Sequence, residues 1–96
     1  MASVIVTPTA LRNLASCIEI LSLPSSTSER VRRALDPLGE FPRLGAPLEG
    51  RWSGMRFILG PWRWMILVYR YDEVTDEVAV VTIQDSRSAR SASASR

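Results

Sequence analysis

The segment Arg63 to Tyr71, RWMILVYRY, carries apolar residues on both of its alternating faces. Trp64, Ile66 and Val68 fall on one side of an extended chain; Met65, Leu67, Tyr69 and Tyr71 fall on the other. A strand that needs cover on both faces belongs in the middle of a sheet. The rest of the chain must then supply a neighbour at each edge and a layer over each face. With 96 residues there is material for one core and not for two.

The neighbours are legible on either side. Met55, Phe57 and Leu59 alternate with Arg56 and Ile58 before a break at Gly60-Pro61, as in a strand with one better-buried face. Asp72 to Glu77 is a polar turn, and Val78 to Ile83 is a further β-branched strand. Near the start, Ser3 to Val6 is a short β-branched run, and Thr7-Pro8 suits the cap and first turn of a helix.

Leu11, Leu14, Ile18 and Leu21 recur at helical spacing, and Leu23-Pro24 closes that helix. Ser26 and Glu29 form a capping-box pattern ahead of a second stripe, Val31, Ala34, Leu35 and Leu38. Pro37 and Gly39 stop or kink this second helix, and residues 43 to 53 form a loop. The expected architecture is α+β: an N-terminal strand and a helical hairpin packed on a mainly antiparallel sheet of about four strands, in the order β-α-α-β-β-β. Residues 1 to 85 form the domain. Residues 86 to 96, SRSARSASASR, have no apolar face to offset their ordering entropy and are expected to be mobile.

A helical hairpin covers one face of such a sheet. Either the loop from 43 to 53 folds back over the other face or another protein covers it; the expectation here is a partner, because monomers avoid apolar patches of that size.

Charge is distributed unevenly. Every cation is an arginine; residues 30 to 70 hold eight of them against three acids, whereas residues 72 to 85 hold five acids and no base. Arginine forks recognise phosphate and carboxylate alike, so the basic middle suits RNA, DNA or an acidic protein segment, or is simply a solvated face. The longest apolar run, Trp64 to Tyr69, is far short of the ~20 residues of a membrane span. The N-terminus lacks the features of a secretory signal, so the cytoplasm is the expected compartment, without membrane contact. Cys17 is the only cysteine and there is no histidine, so neither a disulfide nor a zinc motif is expected, and no cofactor or metal. Cys17 reads as a small buried apolar residue.

Three segments, VIVTPTALRNL, LGEFPRLGAPL and RWMILVYRYDEVTDEVAVVTIQDSR, in this order and spacing, resemble the RelE/ParE superfamily of toxins from type II toxin-antitoxin pairs. The resemblance extends over nearly the whole chain. It implies a growth inhibitor that is held inactive by a cognate antitoxin with an extended, often acidic C-terminal segment, as in plasmid stabilisation modules. It leaves two targets open, since the superfamily contains ribosome-dependent mRNA endonucleases and non-catalytic inhibitors of DNA gyrase. A degenerate member that only binds antitoxin is a third reading.

By the resemblance, Arg63 lies where ribonuclease members place an arginine on the third strand, and Arg87 where they place one just after the last strand. RNA cleavage through the 2′-hydroxyl needs a base, an acid and cations for the phosphorane. Arginine serves only as the cation. The sequence has no histidine or lysine, and no tyrosine follows Arg87. Asp85 is the remaining carboxylate at the end of the last strand, read either as the ion-pair partner of a nearby arginine or as a base, with Arg56, Arg63 and Arg87 around the phosphate.

Antitoxin contact is expected at Trp62, Trp64, Ile66 and Val68, with Arg56 and Arg63. Trp52, Trp62 and Trp64, interleaved with Arg51, Arg56 and Arg63, also have the composition of a base-stacking surface. Trp64 is expected mainly in the core and Trp62 exposed at its turn.

Overall fold

The computed structural model describes residues 1–87. The elements run β1 (Ser3–Val6), α1 (Pro8–Ile20), α2 (Thr27–Leu35), α3 (Pro37–Glu40), β2 (Ala46–Pro47), a 3₁₀ turn (Gly50–Trp52), β3 (Arg56–Leu59), β4 (Met65–Asp72) and β5 (Glu77–Asp85). They form one sheet of five strands in the order β1-β5-β4-β3-β2. β1 runs parallel to β5 and the other pairings are antiparallel. The α+β class and element order match the expectation. The fifth strand is the two-residue β2, inside the segment expected to be a loop.

The side chains explain the helix boundaries. The Thr7 hydroxyl accepts from the Ala10 N–H at 3.3 Å to cap α1, and donates to the Val80 carbonyl at 2.8 Å, which ties the helix start to β5. The capping box expected at Ser26 does not form. Instead the Thr27 hydroxyl donates to the Pro24 carbonyl at 2.6 Å, and Glu29 pairs with Arg33 one turn on, at 3.0 Å. Pro37 has no N–H to continue α2, so α3 begins there as a separate turn.

The larger core lies between the helices and one face of the sheet. Met65, Leu67 and Tyr69 on β4 meet Val78, Val80 and Ile83 on β5, with Leu14, Val31, Leu35 and Leu38 from the helices above them. Full burial of each such side chain is worth about 1.5–3 kcal/mol.

The second face of β4 is also covered, and by this chain itself. Leu48 from the segment after β2 seals Ile66 and Val68, with Trp52, Met55 and Phe57 around them. Ile66 is 1% exposed and Val68 0%. The expectation of an uncovered face awaiting a partner therefore does not hold: the 43–53 segment folds back over it. Ile66 and Val68, expected as antitoxin contacts, lie beneath this layer.

Trp64 departs from its expected face as well. It precedes β4, in the turn after β3, where strand alternation does not apply, and it packs against the helix-side core together with Trp62. Of the tail, Ser86 and Arg87 are bound: the Ser86 N–H donates to the Trp64 carbonyl at 2.7 Å, and Arg87 pairs with Asp85. Residues 88–96, the rest of the segment expected to be mobile, lie outside the described residues.

Candidate functional site

The β3–β4 turn and the end of β5 build an aromatic and cationic face. The rings of Trp62 and Trp64 stack with centroids 5.8 Å apart and planes 13° from parallel. The Arg30 guanidinium, from α2, lies over Trp62 at 5.7 Å, and that of Arg87 over Trp64 at 4.6 Å. Cation–π contacts of this kind hold the guanidinium planes in place. The result is a four-part stack, Arg30–Trp62–Trp64–Arg87, running from α2 to the end of β5.

At its far end, Arg87 grips Asp85. Its Nε donates to Oδ1 at 2.9 Å and its Nη2 to Oδ2 at 2.8 Å, while its backbone N–H also donates to Oδ1 at 2.9 Å. Chiefly through the side-chain hydrogen bond, Arg87 holds the Asp85 carboxyl below the usual carboxylate range, and Asp85 in turn raises Arg87. A carboxylate held this way is a weak base. Burial, and after it the Asp85 charge, push the Cys17 thiol up, so Cys17 stays protonated at neutral pH.

Among the four residues expected around a phosphate, Asp85 and Arg87 come together. Arg63 sits between the two tryptophans in sequence, exposed and without a partner among the described residues. Arg56 does not join them. It pairs with Tyr69 across β3–β4, whereas Asp85 pairs with Met65 on the other side of β4, four residues or about 13 Å further along the strand. The Arg56 Nη1 donates to the carbonyls of Gly45 at 2.8 Å and Arg43 at 3.3 Å, holding the segment that covers the second face. Both tyrosines lie away from Asp85: Tyr69 is the cross-strand partner of Arg56, and Tyr71 lies two residues further along β4. Tyr69 is buried, and the Tyr71 hydroxyl donates to Asp76 at 2.7 Å. Arg51 lies over Trp52 at 5.9 Å, away from the stack. Among the described residues no group of three or more His, Cys, Asp or Glu could hold a metal ion.

A second surface was not foreseen from the sequence. Val4 and Val6 of β1, Leu11 and Leu14 of α1, and Val31 and Leu35 of α2 line an apolar groove of about 530 Å³, rimmed by Ser28, Arg32 and Asp36. Among the described residues β1 is an edge strand, with no strand on its outer side. Leu11 is 54% exposed although it lies on the apolar stripe of α1. No signal in the sequence marks it, because its walls come from three different elements of the chain. No helix among the described residues is long and apolar enough to cross a membrane.

This fold is shared with solved structures of toxin-antitoxin proteins. No protein-family model matches the sequence, and no curated protein matches it significantly. Solved structures do match. The chain is similar to one in the RelBE2 toxin-antitoxin complex of Mycobacterium tuberculosis, with 26% identity and a TM-score of 0.65, covering 88% of this chain and 96% of that one. A chain of the chromosomal ParDE toxin-antitoxin system of P. aeruginosa superposes with a TM-score of 0.67 at 15% identity, over 88% and 96%. The isolated E. coli RelE toxin gives 0.64 at 19%, over 94% and 89%. The fold is thus the one common to RelE and ParE. The chain belongs to the RelE/ParE superfamily of toxins.

Proposed function

We propose that this chain is the toxin of a type II toxin-antitoxin pair, and that it inhibits growth by binding its target through the Arg30–Trp62–Trp64–Arg87 face. In this reading it does not cleave RNA by acid–base chemistry. One observation carries the mechanism: Asp85, the carboxylate on this face, is bound at both oxygens by Arg87 and held below its usual range. The Tyr69 hydroxyl is buried against the Gly45 N–H and the Tyr71 hydroxyl is bound to Asp76, and guanidinium groups cannot exchange protons at neutral pH. What remains is recognition: the guanidiniums of Arg30 and Arg87 and two indoles on one surface, with the exposed Arg63 between the indoles in sequence. Such a face suits an anionic target, either nucleic acid or a complex that contains it, as DNA gyrase on DNA or a ribosome on mRNA would present.

The antitoxin is proposed to occupy the groove between β1, α1 and α2. Its floor is apolar, its wall is an open strand edge, and α2 adds Arg30, Arg32 and Arg33, all exposed. A segment alternating apolar and acidic residues fits all three features, the apolar side chains entering the groove and the carboxylates meeting the arginines. Trp62, stacked under Arg30 of α2, and Trp64 beside it adjoin the arginines that such a segment would meet.

The test is to induce the chain in bacteria and follow transcripts and DNA damage together. Growth arrest with intact mRNA supports action by binding, and a DNA-damage response points to gyrase. Cuts in mRNA on translating ribosomes that vanish in Asp85→Asn would instead establish the endonuclease.

A further inference from the structure

The Asp85–Arg87 pair bears on what the aromatic and cationic face binds, given the proposed role of that face as the target surface. Arg87 presents three donors, its backbone N–H, Nε and Nη2, and all three converge on one carboxylate. Two parallel N–H donors from a guanidinium edge are equally the geometry that grips two oxygens of a phosphate. Stacking on Trp64 at 4.6 Å fixes the plane of the fork. Asp85 thus occupies the place of an external anion.

We propose that the Arg87 fork is a seat for a phosphodiester group, and that Asp85 is an internal competitor which the ligand displaces. The side chains of Arg87 and Asp85 are 59% and 26% exposed, so the pair is reachable and weak, as solvated ion pairs are. A phosphodiester can take over the fork at little cost, while the released carboxylate stays nearby and repels it. Arg63, next to Trp64 in the chain, is exposed and without a partner among the described residues, so it is available to a second phosphate of the same strand. Asp85 therefore lowers affinity for every strand equally, and only a ligand with further contacts along the stack overcomes it. The device favours extended single strands over free phosphate. It also accounts for a carboxylate beside the arginine of a nucleic-acid-binding face without giving it a proton to carry.

The experiment uses the full chain and labelled short oligouridylate and oligothymidylate, titrated over a range of salt concentrations. Asp85→Asn should bind both roughly two- to fivefold more tightly than wild type. Its salt dependence should steepen by up to about 0.7, because no displaced carboxylate takes up a cation as the phosphate seats. Asp85→Asn combined with Arg87→Gln should lose the gain. Equal or weaker binding by Asp85→Asn, or a gain that survives Arg87→Gln, overturns the proposal. So does a gain on oligouridylate alone, because the 2′-hydroxyl and not the phosphate would carry it. A readout in the wild-type chain covers the case of a misfolded variant: saturating oligonucleotide should raise the Asp85 titration, followed by NMR of its carboxyl carbon, and an unmoved titration overturns the proposal. Unchanged affinity in Asp85→Asn with growth arrest intact sinks the internal competitor alone. Absence of growth arrest in wild type sinks the toxin reading while leaving the oligonucleotide result to stand.

Discussion

The Tyr69 hydroxyl, projecting from the middle of β4, accepts a hydrogen bond of 2.8 Å from the backbone N–H of Gly45. At Gly45 the chain crosses the β3 edge on its way to the second face, and it passes so close that a Cβ there would lie 2.6 Å from the Phe57 carbonyl oxygen and 2.7 Å from the Tyr69 hydroxyl. Arg56 holds the Gly45 carbonyl from the other side. Leu48 then falls onto Ile66 and Val68. Tyr69→Phe leaves a buried N–H without an acceptor and should cost about 1–3 kcal/mol. Denaturant unfolding measures the loss, and hydrogen exchange at Leu48, whose N–H donates to the Met55 carbonyl, should quicken. Gly45→Ala should cost more than Tyr69→Phe, since two backbones would have to move apart.

Leu67 is fully buried between the helices and β5, so Leu67→Ala should cost about 2–5 kcal/mol in the same measurement. A loss below about 1 kcal/mol would mean that the helices do not press on this face.

The Asp85–Arg87 pair makes stability depend on pH in a defined direction. The folded-state pKa of Asp85 is depressed, so its contribution is complete above the unfolded value of about 3.9 and is lost as pH falls through the lower folded value. Arg87→Gln removes the hydrogen bond that is the main cause of the shift. The stability gap between wild type and Arg87→Gln should be small, constant above about pH 5, and should close as pH falls below the unfolded value. A gap that widens on acidification would contradict the assigned pairing.

Most of the fold was legible because its determinants are local. The 3-4-3 spacing on α1, the proline after Leu23 and the doubly apolar run around Leu67 each prescribe one element with little help from elsewhere. The 43–53 segment was not, because its structure is set at long range: Tyr69 and Arg56, distant in sequence, hold Gly45, and only then can Leu48 reach Ile66. The same limit applies to the site. The pairing of Asp85 with Arg87 is a two-residue relation and was foreseen as one reading of Asp85. The stacking of Arg30 on Trp62 joins residues from different elements, and so does the groove, which β1, α1 and α2 build together. Trp64 misled because alternation was extended one residue beyond the strand.

Growth inhibition restrained through the groove is tested most directly by growth curves of cells induced for this chain with and without the protein encoded by the adjoining reading frame. Leu11→Asp, which puts a charge on the exposed rim of the groove, is run beside wild type. Wild type alone should arrest growth, co-expression should relieve the arrest, and Leu11→Asp should arrest growth whether or not the partner is present. Undiminished growth with wild-type chain accumulating in soluble form would contradict the toxin assignment, and full rescue of Leu11→Asp would contradict the groove.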